Sequence, residues 1–347
     1  MASALANVWP AAAADTRVLR WGIVGTGSIA RSMATVINRV PAATLAGVSS
    51  RRMSSAREFA DANGAALAFD SWSDLIAADE VDAVYVATPT GVREEIAIAA
   101  ARAGKHVLAE KPFASASSVE RIADACRSND VGFMDGTHFG HHPRTAEVRR
   151  RQAEIIGVPW SLVTTFHSPL MDRSNIRYNG DLEPMGAVGD VGWYCMRAIA
   201  EYLSPDLQVD GLSTFLRRDE ETGAVIGGSG VIRMSNGSTS TWNCGFDSQA
   251  VLTLLRLTGR GGALTMDDFA ANNADGSADY DVWQGDWGTT AAETRHVASD
   301  WASRDLMFSD FAVMVDDAEL RERSVSDTLR TQRLLDAIWQ SGIDNEA

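Results

Sequence analysis

The sequence predicts an α/β protein with two domains, the first built on a parallel sheet and the second on a large open, mainly antiparallel sheet. From Val18 to about residue 145, short apolar runs alternate with amphipathic helical stretches, which is typical of β-α-β units. After Trp160 the runs lengthen and alternate with polar residues between Gly, Asn and Asp turns, as antiparallel strands do. The length of 347 residues also exceeds what one hydrophobic core usually supports.

The elements of the first domain follow from residue type and periodicity. Five apolar runs are predicted to be strands, at residues 18–24, 44–49, 83–87, 106–109 and 132–134. The stretches between them have helical spacing, at residues 28–40, 54–63, 93–103 and 117–129. We therefore expect a cofactor domain over residues 18–145, preceded by a loose arm at residues 1–17.

The remaining residues, 146–347, are predicted to form an α/β domain for substrate binding and dimerisation. Its predicted strands are residues 161–168, 224–234, 238–246 and 251–259. Helical spacing predicts one helix around residues 190–203 and a closing helix at residues 324–340, which should pack back toward the first domain. Apolar residues expected on the exposed sheet face, where a second subunit would cover them, are Trp242, Phe246, Leu252 and Leu254.

Composition excludes several classes of protein. The formal net charge of -15 opposes binding to nucleic acid and to anionic membranes, because the long-range field repels both. No apolar stretch approaches the roughly 20 residues of a membrane helix. The three cysteines form neither a Cys-x-x-Cys pair nor a zinc spacing, so we expect reduced thiols in a cytoplasm.

A glycine-rich turn follows the first predicted strand. Residues Gly25, Thr26, Gly27, Ser28 and Ile29 lie where this strand gives way to a helix. Small residues there let the backbone approach a pyrophosphate, and the helix N-terminus attracts its charge. The turn predicts a Rossmann domain that binds a dinucleotide.

The end of the second predicted strand indicates which dinucleotide is preferred. NAD-binding domains place a carboxylate there against the ribose hydroxyls. This chain has Ser50, Arg51 and Arg52 instead, and a hydroxyl with guanidinium groups suits a 2′-phosphate. We expect NADP(H), with NAD(H) as a possible cofactor, unless the two arginines are only solvated surface charges.

Four further stretches carry a family resemblance. They are Thr88-Pro89, Gly104 to Pro112 with its Glu110-Lys111-Pro112, Gly186 to Tyr194, and the closing LLDAIWQSG. Together they resemble the Gfo/Idh/MocA oxidoreductases, in particular the branch of glucose-fructose oxidoreductase, dimeric dihydrodiol dehydrogenase, xylose dehydrogenase and deoxysugar 3-ketoreductases. The resemblance implies cofactor contacts by Thr88, Pro89, Glu110 and Lys111, a cis Lys111-Pro112 peptide, and a homodimer or tetramer.

The chemistry of hydride transfer asks for a proton donor or acceptor at the substrate oxygen. Lys111 and Tyr194 meet this need, Tyr194 as general acid/base and Lys111 polarising the same oxygen and lowering the phenol pKa. Asp190 lies four residues before Tyr194, hence on the same face of one predicted helix, and would orient substrate or lysine. The expected reaction moves a hydride to or from a carbinol or carbonyl carbon of a sugar, deoxysugar or dihydrodiol.

Other polar residues are predicted to contact substrate. Where the family has Thr-Pro-Asn-x-x-His, this chain has Thr90 and Arg93. His138 and His141 follow the last strand of the first domain; a metal site is disfavoured there, because Gly and Pro break the segment. The full set of predicted substrate contacts is Arg93, His138, His141, Asn175, Arg177 and Tyr178.

Two other functions fit the same motifs. One is an oxidoreductive glycosidase, which returns its cofactor to the starting redox state in each turnover. The other is a non-catalytic NADP sensor, as in the family member that represses yeast galactose genes. The presence of both Lys111 and Tyr194 argues against the sensor.

Overall fold

The computed structural model describes residues 16–346 as two compact units. The first contains residues 16–137 together with Arg304–Leu329, and the second contains His138–Ser303 with residues 330–346. The change of domain was predicted near residue 145, with residues 146–347 in the second domain, whereas the chain returns to the first unit at Arg304. The predicted arm lies, up to residue 15, outside the described residues.

The first unit is built on a six-stranded parallel sheet in the order β3-β2-β1-β4-β5-β6. Its strands are β1 Leu19–Val24, β2 Ala43–Ser49, β3 Leu67–Phe69, β4 Ala83–Val86, β5 His106–Ala109 and β6 Phe133–Asp135. Its helices include α1 Ser28–Ile37, α2 Met53–Asn63, α3 Trp72–Ala77, α4 Thr90–Arg102 and α5 Ala116–Ser128. The strand order reverses between β1 and β4, and ligands of such sheets bind at that point.

The second unit is built on an eight-stranded sheet in the order β14-β13-β12-β11-β7-β10-β9-β8. Of its neighbouring strands only β7 and β10 run parallel, so the prediction of a mainly antiparallel sheet is confirmed. The strands are β7 Ser161–His167, β8 Val209–Arg218, β9 Val225–Met234, β10 Thr239–Gly245, β11 Leu252–Gly259, β12 Gly262–Met266, β13 Ala278–Gln284 and β14 Ala291–Val297. The helices are α6 Pro143–Ile155, α7 Gly186–Asp190 and α8 Gly192–Tyr202.

The two faces of this sheet differ in exposure. Helices α7 and α8 pack on one face, against β7, β9 and β10. The other face carries exposed apolar side chains, namely Val163, Phe215, Val231, Leu252 and Leu254, each at least 40% exposed. The expectation for Trp242 and Phe246 was wrong, since both are buried. Trp242 alternates with exposed Thr241 along β10 and therefore points to the opposite face, where the absence of a side chain at Gly228 leaves room for its ring.

Two helices close the chain, α9 Ser303–Met314 and α10 Ala318–Glu346. Phe308 and Phe311 of α9 pack on Trp21 of β1, with ring centroids 4.8 and 4.9 Å apart. These apolar residues join the core of the first unit, which explains why the chain returns to it. Within residues 16–346, no helix combines the length and the apolar character needed to cross a membrane.

Candidate active site

The glycine-rich turn forms a close backbone approach at the end of β1. Gly25 has a φ of +109°, and a Cβ there would lie 2.9 Å from the carbonyl oxygen of Ala87. A side chain is therefore excluded by conformation and by space. Gly27 precedes α1, and a Cβ added to it would have no neighbouring atom within 4 Å, so the helix N-terminus beside it is open.

This turn fits a dinucleotide. The N–H groups of Ser28 and Ile29 lie in the first turn of α1, where they have no acceptor within the helix and can donate to a pyrophosphate. Near the same sheet edge, the Thr88 hydroxyl is buried and has no hydrogen-bond partner among the described residues. A buried hydroxyl without a partner is costly, and a bound polar ligand would satisfy it.

The residues expected to select NADP lie at the end of β2. The Ser50 hydroxyl oxygen is 3.4 Å from that of Thr26, which brings the two predicted contact loops together. Arg51 and Arg52 are both exposed, and Arg52 precedes the first turn of α2. Two exposed guanidinium groups here can reach an anionic ligand without the cost of burying free charge.

The Glu110-Lys111-Pro112 segment follows β5. Its Lys111-Pro112 peptide is cis, as the family resemblance implied. The Glu110 carboxylate accepts a hydrogen bond from the Tyr85 hydroxyl, and burial together with Glu110 raises the pKa of that phenol well above its usual range. Lys111 itself is 9% exposed. The segment is thus fixed from the interior of the sheet, with the lysine largely shielded.

Arg93, which was predicted to contact substrate, lies buried in the first turn of α4. It is 3% exposed, and its guanidinium donates to the backbone carbonyls of Thr88, at 2.5 Å, and Pro112. It also donates to the Thr90 hydroxyl at 3.1 Å. These acceptors belong to protein loops, so the geometry gives no support to the predicted substrate contact.

In the second unit, Tyr194 lies in the first turn of α8 and is half-buried among rings. The ring centroids of Phe166 and Phe139 are 5.0 and 6.1 Å from its own. His138, in a 3-10 turn at residues 138–141, places Nε2 3.4 Å from the Tyr194 hydroxyl oxygen. The phenol is therefore flanked by apolar rings and lies beside an imidazole that can exchange a proton with it.

Asp190 and Tyr194 do not share one continuous helix as predicted. Asp190 ends α7, Val191 separates the two helices, and α8 begins at Gly192. The Asp190 carboxylate is held by Arg177, whose Nε and Nη2 lie 2.5 and 3.3 Å from its two oxygens. This ion pair links the predicted substrate loop to the start of the Tyr194 helix.

The remaining loop residues line a cavity. Asn175 accepts a hydrogen bond from the Arg177 N–H at 3.1 Å, and the Tyr178 hydroxyl donates to the Leu170 carbonyl at 2.6 Å. Burial raises the pKa of Tyr178 above its ordinary value. Both residues border a cavity of about 440 Å³, together with Arg173 and Thr222. The loop is thus held by its own hydrogen bonds and borders a space that can take a polar ligand.

The histidines after β6 do not form a cluster of metal ligands. His141 is 6% exposed, while His142 Nε2 lies 2.8 Å from the Gly276 carbonyl and burial lowers the His142 pKa. Among residues 16–346, no group of three or more His, Cys, Asp or Glu side chains could hold a metal ion.

Several residues near Tyr194 and on its helix were not predicted from the sequence. Phe166 was recognisable only as part of a strand, and nothing local relates it to Tyr194. Behind the helix, Glu201 accepts hydrogen bonds from Arg197 and Arg149, each at 2.8 Å, and all three side chains are at most 11% exposed. The i,i+4 spacing of Arg197 and Glu201 was a signal for that pair.

Known proteins match this chain along most of its length. At 34% identity, it aligns with dTDP-3,4-didehydro-2,6-dideoxy-alpha-D-glucose 3-reductase of Streptomyces violaceoruber over 72% of this chain and 73% of the relative. D-xylose 1-dehydrogenase (NADP(+)) 2 of Haloferax volcanii is 30% identical over 93% of this chain and 97% of its own.

A solved structure is similar as well. KijD10, a 3-ketoreductase from Actinomadura kijaniata in complex with NADP and TDP-benzene, has a TM-score of 0.84 and 28% identity, covering 94% of this chain and 98% of that one. Residues 19–137 also match the model of the oxidoreductase family with an NAD-binding Rossmann fold. The glycine turn, the Glu-Lys-Pro segment and these relatives lead to one conclusion: the chain belongs to the Gfo/Idh/MocA family of oxidoreductases.

Proposed function

We propose that this protein transfers a hydride between NADP(H) and a carbinol or carbonyl carbon of a sugar, deoxysugar or dihydrodiol. The observation that carries the proposal is the half-buried Tyr194 phenol, which has His138 Nε2 at 3.4 Å and aromatic rings around it. Acid–base chemistry at a substrate hydroxyl or carbonyl oxygen needs such a group. The relatives named above act on nucleotide-linked deoxysugars and on xylose.

Each proposed catalytic residue has one task. The nicotinamide supplies or accepts the hydride when it is bound. Tyr194 gives a proton to the substrate oxygen in reduction and removes it in oxidation, and Lys111 polarises the same oxygen with its positive charge. Asp190, neutralised by Arg177, orients substrate at the start of α8. His138, His141, Asn175, Arg177 and Tyr178 are the proposed substrate contacts.

NADP(H) is the proposed cofactor, in preference to NAD(H). The exposed Arg51 and Arg52 at the end of β2 support this, as does the Ser50 hydroxyl beside Thr26. A guanidinium pairs with a phosphate through parallel hydrogen bonds, which a ribose hydroxyl cannot match. The xylose dehydrogenase relative is named for NADP, and KijD10 was crystallised with it.

The test follows absorbance of the reduced nicotinamide while the purified protein meets aldoses, ketosugars, inositols and dihydrodiols, with NADP(H) and NAD(H) in parallel. Net oxidation or reduction with NADP(H) is the expected result, and it identifies the substrate class. Cleavage of a glycoside without net change in absorbance would instead establish the oxidoreductive glycosidase. Tight NADPH binding with neither reaction would establish the sensor.

We also propose a homodimer through the open face of the second sheet. Val163, Leu252 and Leu254 lie on neighbouring strands there and are exposed, which is unfavourable for a face in water. A lysine in place of Leu254 should shift sedimentation toward the monomer, whereas Val158→Lys, in an exposed loop, should not. A wild-type protein that sediments as a monomer at all concentrations would contradict this proposal.

The proposed location is the cytoplasm. Cys126, Cys195 and Cys244 are free and buried, and burial raises the pKa of Cys126 and Cys195 to about 12. Thiols that remain protonated and unpaired fit a reducing compartment.

A further inference from the structure

Arg93 is a buried cation that contacts both of the loops assigned to the cofactor and the catalytic lysine. The side chain projects from the first turn of α4 and is 3% exposed. Burying a guanidinium is costly unless its donors are satisfied. In this chain Nη1 donates to the Thr90 hydroxyl and the Pro112 carbonyl, and Nη2 donates to the Thr88 carbonyl.

The carbonyls of Thr88 and Pro112 belong to loops that follow two different strands of the sheet. Thr88 follows β4, and its hydroxyl, which has no hydrogen-bond partner among residues 16–346, supports the proposed cofactor contact. Pro112 follows β5 and is joined directly to Lys111. One planar group thus spans the gap between the Thr-Pro loop and the Glu-Lys-Pro segment. The planar guanidinium of arginine can donate to two carbonyls at a fixed spacing, whereas the ammonium of a lysine cannot.

Thr90 completes the contact. Its hydroxyl accepts from Arg93 at 3.1 Å and lies 3.5 Å from the Pro112 carbonyl oxygen. Within the Thr-Pro-Asn-x-x-His motif of the family, Thr90 stands at the Asn position and Arg93 at the His position. The two residues that differ from the motif are therefore hydrogen-bonded to each other.

We propose that Arg93 is a positioning residue, which sets Lys111 relative to the Thr88-Pro89 cofactor loop by holding the carbonyls of Thr88 and Pro112. The inference rests on the proposed function, in which Lys111 contacts cofactor and substrate. It assigns Arg93 to the preorganisation of the site and not to the substrate. Misplacing a catalytic group by a small distance lowers rate and affinity even where the group itself is intact.

The test measures NADPH binding by the fluorescence of the reduced nicotinamide, with thermal unfolding as a parallel readout. Arg93→Met keeps the length of the side chain and removes its donors; about tenfold weaker NADPH binding and an altered emission spectrum of bound NADPH are expected. Arg93→Lys, which retains a donor for one carbonyl, should restore part of both. Arg102→Met, on the exposed end of the same helix, is the matched control and should bind NADPH as the wild type does.

A double-mutant cycle separates positioning from general loosening of the fold. If Arg93 acts through Lys111, Arg93→Met should weaken binding by no more than about twofold in a Lys111→Met background, because the effects of coupled residues do not add. Full additivity would overturn the proposal, and so would wild-type affinity and emission in Arg93→Met. Should Arg93→Met fail to fold, Thr90→Val removes the hydroxyl that contacts Arg93 and Pro112, at nearly constant shape, and should weaken binding about threefold. Wild-type binding in that variant would then count against the proposal.

Failure of the two proposals can be told apart. Wild-type NADPH binding and turnover in Lys111→Met would refute the role of Lys111, and with it the function on which this inference rests. An impaired Lys111→Met beside an unaffected Arg93→Met would refute the role of Arg93 alone.

Discussion

The Nε2 atom of His138 lies 3.4 Å from the hydroxyl oxygen of Tyr194, although 56 residues separate the two in the chain. Helix α8 carries the tyrosine, and the 3-10 turn after β6 carries the histidine. An imidazole nitrogen beside a phenol can donate or accept the hydrogen bond, depending on its tautomer, and offers a local path for the phenol proton. This pairing gives Tyr194 a partner that neither motif predicts by itself.

Removing the imidazole should slow the reaction. We expect His138→Leu to lower kcat about fivefold, which corresponds to about 1 kcal/mol for one hydrogen bond. His138→Gln, whose amide can reach the position of Nε2, should retain most of the rate. Steady-state kinetics on the substrate identified by the panel provide the measurement. Equal rates in His138→Leu and the wild type would show that the contact has no part in catalysis.

Arg51 should determine cofactor preference. Its loss in Arg51→Ala should weaken NADPH binding by about 1.5–3 kcal/mol, roughly 10- to 150-fold, because a charge-assisted hydrogen bond to the 2′-phosphate is removed. NADH binding should change less than about threefold, since the phosphate is absent. Fluorescence titration with both cofactors checks this. Arg57→Ala, also exposed and on α2, is the control; an equal loss there would mean that only general charge matters.

His106 should make the fold sensitive to mild acid. Burial, followed by the charges of Arg17 and Arg321, lowers its pKa from 6.5 to about 4, and its Nδ1 accepts a hydrogen bond from the Gly132 N–H. The unfolded chain takes up this proton near pH 6.5 while the folded one stays neutral. Stability is therefore complete above pH 6.5 and is lost as the pH falls toward 4.

The expected loss from this group between pH 7 and pH 5 is about 2 kcal/mol in the free energy of unfolding. Asn can accept the same hydrogen bond without titrating, so His106→Asn should lose correspondingly less over that interval. Urea denaturation at the two pH values measures the difference. His142 is present in both the wild type and His106→Asn, so its contribution to the pH dependence cancels in the comparison. Identical losses in both proteins would contradict the assignment.

The buried network of Arg149, Arg197 and Glu201 should dominate the stability of the second unit. Glu201→Gln leaves two buried guanidinium groups without their carboxylate and should cost about 3–5 kcal/mol. Asp210→Asn removes the partner of Arg233 at the surface, where both side chains are more than half exposed, and should cost at most about 1 kcal/mol. Urea denaturation compares the two; similar costs would show that the buried triad contributes little.

The sequence predicted the first sheet well because its strands are continuous apolar runs. The runs around Ile23 and at Val107 could be recognised from the sequence alone, without knowing which strands they pair with. Strand β3 was missed because Leu67–Phe69 is only three residues long. Strand β14 was missed because six of its seven residues, from Ala291 onward, are exposed or charged and carry no apolar pattern.

The sequence predicted which residues belong to the site better than it predicted the contacts that these residues make. Glu110, Lys111 and Tyr194 stand in motifs, and motifs are local. The partners of Arg93 and Asp190 are set by loops that meet only in the folded chain. The alternation of residues along β10 predicted which side chains share a face of the strand. It did not predict which of the two faces is covered by helices, and Trp242 was therefore assigned to the exposed face.

The most direct test of the central claim is the single-turnover rate of NADPH oxidation in Tyr194→Phe, measured beside the affinity of the same variant for NADPH. We predict a rate lower by about 10²- to 10⁴-fold, the usual contribution of a general acid, with the Kd for NADPH changed by less than about threefold. Tyr280→Phe changes a buried tyrosine of the same unit, and this control variant should react as the wild type does. A Tyr194→Phe protein that oxidises NADPH at the full rate would contradict the account.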